Sequence, residues 1–205
     1  MLLDNLIDFK VYLASASQRR HQLLSEMGIQ FKYLPIQVEE NYPNYLTPIE
    51  VCEYLSKLKL AAINRALYPK NSLFIACDTI VVLEGKIMGK PVDIDDAITT
   101  LQLLSSKEHD VISGLSVANS EEIKTTHQLT TVKFKELTHQ EIEYYVNHYH
   151  PIDKSGSYGI QEWIGLIGIE EIKGSFYNIM GMPTELLWKL LNYFSSPLDN
   201  YKKIM

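Results

Sequence analysis

The chain has few cysteines and no long apolar segment. Its two cysteines, Cys52 and Cys77, are too few for a disulfide framework and are not spaced as a metal site. No apolar run approaches the roughly 20 residues that cross a bilayer. The first ten residues carry Asp4 and Asp8 and lack the basic region of a signal peptide. These absences argue against a disulfide-stabilised secreted scaffold and a membrane-spanning protein, and they predict a protein of the reducing cytoplasm.

Positive charge is also scarce. Lys and Arg number 19 against 25 Asp and Glu, which gives a formal net charge of −6. This balance argues against nonspecific binding to nucleic acid, so the basic residues are expected to act locally. The 205 residues are 46% hydrophobic and 10% aromatic, as in a folded globular protein. We predict a single domain over residues 1–205.

Strand and helix signals alternate along the chain. Short apolar or alternating runs predict strands, and apolar residues at helical spacing between capping signals predict helices. The predicted strands are 10–14, 31–35, 73–83, 86–88, 111–117, 123–134 and 166–172. The predicted helices are 17–28, 47–67, 93–104, 138–148 and 183–194. This order predicts a mixed α/β fold around one continuous core.

The turn between the first strand and the first helix carries two arginines. Ser17 occupies the predicted N-cap position, and Arg19 and Arg20 fall in the first helical turn. Arginine there works against the helix dipole, which prefers carboxylates at a helix start. A chain that accepts this penalty is expected to bind an anion, and the guanidinium fork suits phosphate. The alternative is a solvated arginine pair on an ordinary helix.

A carboxylate interrupts the most apolar strand. Asp78 lies between Cys77 and Thr79 in the segment 74–82. Burying a carboxylate is costly unless it is paired or bound to a metal. Acids at the strands of α/β enzymes hold Mg²⁺ or act as a base, which is the interpretation we favour. The alternative is an aspartate at a strand end that backbone N–H groups satisfy.

Two glycine-containing segments invite comparison with nucleotide-binding and hydrolase motifs. Segment 85–91 fails as a P-loop because its spacing is one residue short and Pro91 replaces the Ser or Thr. Lys90 in this turn either contacts phosphate or is a solvated lysine. Segment 155–161 is not a nucleophile elbow, because its glycines are wrongly spaced. It is either a small-residue loop that admits a ligand or a structural turn.

Together these segments resemble the Maf (septum formation) family of nucleoside triphosphate pyrophosphatases. The matching segments run in the family order from Leu13 to about Leu191: 13–20, 38–40, 58–59, 77–82, 89–93, 112–114, 153–161, 174–175 and 178–183. The resemblance implies an elongated, twisted mixed sheet flanked by helices in two lobes with a central cleft. It also implies a metal-dependent hydrolase that cuts nucleoside triphosphates to monophosphate and pyrophosphate, and commonly a homodimer.

The resemblance assigns roles to nine residues. The implied catalytic residues are Asp78, Glu40, Lys59 and Lys90, with Asp78 as proton acceptor. The implied substrate-binding residues are Ser15, Arg19, Arg20, Thr79 and Gln161. Glu40 and Asp78 would hold Mg²⁺ or Mn²⁺.

Three of these positions bear on the substrate. Arg19, Thr79 and Gln161 match family positions that accompany a preference for dTTP and UTP. Glu39 and Lys57 stay open as alternatives to their neighbours Glu40 and Lys59.

Two other functions remain open at this point. One is a pyrophosphatase for modified nucleotides such as 7-methyl-GTP, which would differ only in the base pocket. The other is a nucleotide-binding regulator of cell division with little turnover. Metal-dependent turnover would distinguish an enzyme from such a regulator.

Overall fold

A computed structural model describes residues 2–195. Residue 1 and residues 196–205, which the predicted domain includes, lie outside this range, so the single domain over 1–205 stays a prediction. Within residues 2–195 there is one seven-stranded sheet: β1 (Lys10–Leu13), β2 (Phe31–Tyr33), β3 (Ser72–Leu83), β4 (Lys86–Met88), β5 (Glu108–Ala118), β6 (Ile123–Phe134) and β7 (Ile169–Lys173). The helices are α1 (Leu2–Asn5), α2 (Gln18–Glu26), α3 (Pro48–Ala61), α4 (Ile94–Leu104), α5 (His139–Tyr149), α6 (Trp163–Gly168), α7 (Phe176–Ile179) and α8 (Thr184–Ser195). The predicted mixed α/β architecture is confirmed.

The sheet is parallel on one side of β3 and antiparallel on the other. The strand order is β2-β1-β3-β5-β6-β7, in which β1 runs parallel to both β2 and β3. Strands β3, β5, β6 and β7 pair antiparallel, and β4 folds back on β3 as a hairpin. The hairpin turn at Glu84 and Gly85 has positive φ angles of 50° and 79°, as the tight turns of two-residue hairpins require.

One edge of β3 is interrupted. On this edge β1 pairs with residues 72–75 and β4 pairs with residues 81–83, whereas β5 pairs with residues 74–82 on the opposite edge. Residues 76–80 therefore have no strand beside them on the first edge. This interval contains Asp78 and Thr79, so the pairing pattern alone opens the sheet at the predicted site.

Side-chain alternation along β3 sends these two residues to opposite faces. Asp78 points to the same face as the buried Phe74 and Ile80, which α3 covers. Thr79 points to the face of the larger core, where α2, α4, α5 and α8 pack. The interrupted edge therefore gives access to residues from both layers of the fold.

The capping signals at two helix starts are confirmed. Thr47 accepts a hydrogen bond from the Glu50 backbone N–H, and the Glu50 carboxylate accepts one from the Thr47 backbone N–H. Thr138 and Glu141 form the same reciprocal pair at the start of α5. Such a capping box satisfies two of the unpaired donors at a helix N-terminus, which explains why these two starts could be predicted locally.

Two predicted elements are wrong in extent. The helix predicted to reach residue 67 ends at Ala61, because the chain turns there to bury Ile63 beside the sheet, and Arg65–Leu67 is a separate 3-10 turn. The strand predicted over 166–172 begins at Ile169, because the preceding residues form α6. A Cβ at Gly165 would lie 1.8 Å from the Ile160 carbonyl oxygen, so this glycine serves a tight helical turn and not a strand.

No helix within residues 2–195 is both long enough and apolar enough to cross a membrane.

Helix α3 packs closely against β5 at Gly114, which lies opposite Asp78 in the sheet. A Cβ there would lie 2.2 Å from the Cys52 carbonyl oxygen, and backbone cannot yield as a flexible side chain can. We expect Gly114→Ala to lower the free energy of unfolding by roughly 1–3 kcal/mol, measured by urea denaturation. Gly89→Ala, which adds a Cβ in open space, is the control. Equal stability of Gly114→Ala and the wild type would contradict this close approach.

Candidate functional site

A cavity of about 620 Å³ opens at the interrupted edge of β3. All nine residues assigned by the sequence line it: Ser15, Arg19, Arg20, Glu40, Lys59, Asp78, Thr79, Lys90 and Gln161. They come from the β1–α2 turn, the first turn of α2, the segment after β2, α3, β3, the turn after β4 and the segment before α6. The structure therefore brings the whole predicted set together, although it does not test the role of any member.

Arg20 is fixed by three protein hydrogen bonds. Its Nε donates to the Gly181 carbonyl oxygen at 2.8 Å, Nη1 to Ser15 Oγ at 3.2 Å, and Nη2 to Thr79 Oγ1 at 3.1 Å. A guanidinium has five N–H donors, so two remain for a ligand. Arg20 is therefore a preorganised cation at the cavity wall, in contrast to the solvated arginine of the alternative interpretation.

Ser17 occupies the predicted N-cap position of α2, but it does not form the expected capping hydrogen bond. Ser17 precedes α2 with extended backbone angles, and its side chain makes no capping hydrogen bond. Its backbone N–H instead donates to Ser15 Oγ at 3.3 Å. The first turn of α2 contains no acidic residue, so its dipole is not neutralised by its own side chains.

Lys59 lies between the two predicted metal ligands. Its Nζ contacts Glu40 Oε1 at 2.9 Å and forms a very short ion pair with Asp78 Oδ1. The Lys59 and Asp78 side chains are only 14% and 10% exposed, so this pair is largely desolvated. Lys57 is exposed on α3 and does not line the cavity. The structure thus distinguishes the two lysines that the sequence left open.

The charges in this cluster stabilise one another. Burial raises the pKa of Glu40, but the hydrogen bond and charge of Lys59, together with Lys90 and Arg20, outweigh it and leave the pKa below its usual range. Burial likewise lowers the pKa of Lys59, but Asp78 and Glu40 outweigh it and leave the pKa above its usual range. Both shifts widen the pH range over which the ion pair stays charged.

Glu40 reaches the cavity from a segment without regular structure. Strand β2 ends at Tyr33, and α3 begins at Pro48. Glu39 does not line the cavity and instead accepts a hydrogen bond from Asn41 Nδ2 at 3.2 Å. Neither Glu39 nor Glu40 lies in a strand, so the path of this irregular segment decides which of the two faces the cavity.

Thr79 is held by buried side chains that the sequence did not single out. Its hydroxyl lies 2.8 Å from Ser113 Oγ, which donates to the Asn178 carbonyl oxygen at 3.1 Å. Asn178 Nδ2 donates to the Val111 carbonyl oxygen and to Thr130 Oγ1, both at 3.0 Å. Segments 112–114 and 178–183 were part of the family pattern, but only the fold shows that they support Thr79.

The small residues of segment 155–161 serve packing. A Cβ at Gly156 would lie 2.8 Å from Val81 Cγ2, and Ser155 Oγ donates to the Met88 carbonyl oxygen at 2.6 Å. The segment therefore approaches β3 and β4 closely, as a structural turn does, while Ser155 and Gly159 also line the cavity. Lys154, which had no predicted role, lines it as well.

The cavity is positively charged in an acidic chain. Its lining contains five cationic side chains (Arg19, Arg20, Lys59, Lys90 and Lys154) and three carboxylates (Glu40, Asp78 and Asp153). This is an excess of two positive charges in a chain whose net charge is −6. Such a local excess attracts a compact polyanion.

The residues present fit a metal ion that binds together with a phosphate ligand. Within residues 2–195 no three His, Cys, Asp or Glu side chains cluster as an all-protein metal site. Mg²⁺, however, is usually held by one or two carboxylates with substrate phosphates and water. Lys59 engages Asp78 Oδ1 and Glu40 Oε1, so such an ion would meet Asp78 Oδ2 and Glu40 Oε2, of which the latter lies 4.0 Å from Lys90 Nζ.

The fold and the cavity define a mixed α/β protein with a cationic cleft beside its central strand. A family model described as Maf-like protein matches residues 10–194, so the chain belongs to the Maf family.

Several relatives match almost the whole chain. The dTTP/UTP pyrophosphatase of Bacteroides fragilis (strain YCH46) is 45% identical over 192 residues, which cover 93% of this chain and 98% of the relative. The dTTP/UTP pyrophosphatase of Porphyromonas gingivalis (strain ATCC 33277) is 41% identical over 196 residues, with coverage of 94% and 98%. The Staphylococcus aureus Ham1 structure matches with a TM-score of 0.43 and 16% identity over 61% of this chain and 71% of that chain, a similarity too slight to bear on function.

The ion pair of Lys59 predicts a measurable effect on stability. Removing one partner of a nearly buried pair leaves the other charge uncompensated, so we expect Lys59→Met to lower the free energy of unfolding by about 3 kcal/mol. Adding Asp78→Asn to this variant removes the unpaired charge of the Asp78 carboxylate and should restore part of the lost free energy of unfolding. The control is Lys107→Met, whose pair with Glu84 is exposed and should contribute less than about 1 kcal/mol. Urea denaturation compares all four proteins, and a stable Lys59→Met single variant would disprove the coupling.

Proposed function

We propose that this protein hydrolyses nucleoside triphosphates, with dTTP and UTP favoured, at the α–β phosphoanhydride to give a monophosphate and pyrophosphate. The observation that carries the proposal is the cationic cavity with Asp78 and Lys59 at its floor. The names of the relatives, dTTP/UTP pyrophosphatase, support the substrate and the reaction.

The cations would hold the triphosphate. One ion pair at 4 Å contributes roughly 4 kcal/mol at an effective dielectric near 20. Arg20 is already oriented by its three hydrogen bonds, so little side-chain entropy is lost when it binds phosphate. Lys90 is more exposed and lies 4.0 Å from Glu40, so it is available to the phosphates at the mouth. These groups would also stabilise the charge that develops on the leaving pyrophosphate.

Asp78 would accept the proton of the attacking water. The water oxygen forms a bond to the α-phosphorus, the bond to the bridging oxygen breaks, and pyrophosphate leaves with that oxygen. Lys59 contacts Asp78 Oδ1, so Oδ2 would be the oxygen that receives the proton.

Glu40 and Asp78 would hold Mg²⁺ or Mn²⁺ together with phosphate oxygens. Such an ion supplies charge neutralisation at the phosphates and makes a coordinated water more acidic. Lys59, which contacts both carboxylates, would keep them close enough to share the ion.

The base would be distinguished by Arg19, Thr79 and Gln161, which lie on three different segments around the cavity. A side chain that hydrogen-bonds a base edge rejects a base lacking the matching group, because its polar atoms would otherwise stay unpaired. The proposal also includes a homodimer located in the cytoplasm. The family resemblance supports the dimer, and the two free, buried cysteines suit a reducing compartment.

Pyrophosphate release from a nucleotide panel tests the proposal directly. We expect release from dTTP and UTP with Mg²⁺ or Mn²⁺, less from CTP, purine triphosphates and 7-methyl-GTP, and none after chelation of the metal with EDTA. A preference for 7-methyl-GTP would favour the modified-nucleotide alternative. Binding without release by folded protein would favour the regulatory alternative and would overturn the proposal.

Asp78→Asn separates chemistry from binding. This variant keeps the shape of the side chain but removes the proton acceptor, so we expect turnover to fall by about 10²-fold or more. The affinity for dTTP should change far less, as measured by isothermal titration calorimetry. Asp110→Asn on β5 is the matched control, because Asp110 does not line the cavity. Near-normal turnover of Asp78→Asn would rule out this role.

A further inference from the structure

Gln161 is placed by its backbone and not by its own side chain. It is exposed in the cavity, and its amide makes no hydrogen bond to any other residue between 2 and 195. It lies in a tight turn in which the Glu162 backbone N–H donates to the Gly159 carbonyl oxygen at 3.0 Å. The groups that hold the backbone of this turn therefore set the position from which the Gln161 side chain extends into the cavity.

Three side chains hold the turn from behind. The Tyr145 hydroxyl makes a very short hydrogen bond to Glu162 Oε2 and accepts one from the Gly159 backbone N–H at 3.0 Å. Lys154 Nζ lies 3.3 Å from Glu162 Oε1. The Tyr145 hydroxyl therefore bonds to both ends of the turn, Gly159 and Glu162, and Lys154 pairs with the Glu162 carboxylate. We name these three side chains the Tyr145–Glu162–Lys154 clamp.

The clamp is rigid because it is buried. Tyr145 is fully buried, and the Lys154 and Glu162 side chains are 9% and 18% exposed. The turn also closes tightly around the carboxylate, since a Cβ at Gly159 would lie 2.6 Å from Glu162 Cδ. Polar groups in such a desolvated network have few alternative partners, so the network allows one arrangement of the turn.

Further ion pairs connect the clamp to Arg19. Lys154 Nζ lies 2.7 Å from Asp153 Oδ1, and Asp153 Oδ2 lies 3.8 Å from Arg19 Nη1. One continuous chain of contacts therefore joins Arg19 to the turn of Gln161. Among residues 2–195, no side-chain hydrogen bond or ion pair joins this chain of contacts to Asp78, Lys59 or the Arg20 guanidinium, the centre of the proposed phosphate site.

We propose that the Tyr145–Glu162–Lys154 clamp is a positioning element that sets base discrimination by fixing Gln161 relative to Arg19, while leaving phosphate binding unaffected. The inference deepens the proposed function and rests on its assignment of a nucleoside triphosphate to this cavity. It assigns a role to Tyr145 and Glu162, which lie outside the segments of the family pattern, and to Lys154, which lies in segment 153–161 but has no role in the proposed mechanism.

Tyr145→Phe is the sharpest test, because it removes the hydroxyl and keeps the buried ring. We expect the kcat/KM ratio of dTTP to CTP to fall about fivefold, mainly through the KM for dTTP, because the variant loses both hydrogen bonds of the hydroxyl and the turn becomes less well fixed. The inhibition constant of tripolyphosphate, which reports the phosphate site alone, should stay unchanged. Tyr149→Phe is the control: it lies one helical turn away, stacks on Tyr145, and its hydroxyl bonds to no other described residue.

Lys154 provides a second test that separates positioning from phosphate contact. We expect Lys154→Met to lower the same ratio and Lys154→Arg, which keeps the charge for Glu162, to restore part of it. An unchanged ratio with weaker tripolyphosphate inhibition would make Lys154 a phosphate ligand and would overturn the inference. Thermal melting of each variant shows that it is folded.

The test of the clamp can be separated from the test of nucleoside triphosphate hydrolysis. The ratio of dissociation constants for dTTP and CTP, measured by calorimetry without turnover, supplies the same comparison for an inactive protein. A wild type that binds but does not hydrolyse would refute the hydrolase and still test the clamp. An unchanged ratio in Tyr145→Phe, or a wild type that does not discriminate between the two nucleotides, would refute the clamp.

Discussion

The site depends on the way two short strands share one edge of β3. Strand β1 pairs with the beginning of β3 and β4 with its end, so residues 76–80 have no strand beside them there. Alternation in this interval directs Asp78 toward α3 and Thr79 toward α2. Because the gap is open to both layers, Lys59 and Arg20 can enter one cavity from opposite faces of the sheet. A sheet with a continuous strand at this edge would bury both residues and leave no cleft.

The cavity combines two kinds of fixed charge. Arg20 is oriented by neutral partners, the Gly181 carbonyl and two hydroxyls, and therefore keeps its full charge for a ligand. Lys59 is paired with two carboxylates, and its charge helps to hold the pKa of Glu40 below its usual range. The proposed phosphate binding would need uncompensated cations, and the proposed proton transfer would need a carboxylate within reach of the water. Arg20 and the Lys59–Asp78 pair lie on the two sides of the same gap beside β3.

Much of this could be predicted from the sequence, and the failures have specific causes. The capping boxes of α3 and α5, the apolar run of β3 and the arginine turn all depend on residues close together in the chain. The extent of α3 was misjudged because the periodic pattern continues past Ala61, where burial of Ile63 turns the chain. The residues before Ile169 were misjudged because a short apolar run fits either a strand or a helical turn. Lys154 was missed because a lysine in a polar loop gives no local sign of being buried by Tyr145 and Glu162.

The sequence by itself predicted the order of the seven strands and five of the helices, because these rest on local patterns of side chains, and its ordered motifs carried the family resemblance that implied the nine candidate residues. The tertiary structure alone decided how those residues meet. Arg20 bonds to Gly181, 161 positions away, and the register of β1 and β4 against β3 creates the gap in the sheet. Strand register and helix packing depend on many contacts between residues that are far apart in the sequence. For that reason the choice of Lys59 over Lys57, the support of Thr79 by Ser113 and the clamp behind Gln161 became visible only in the folded chain.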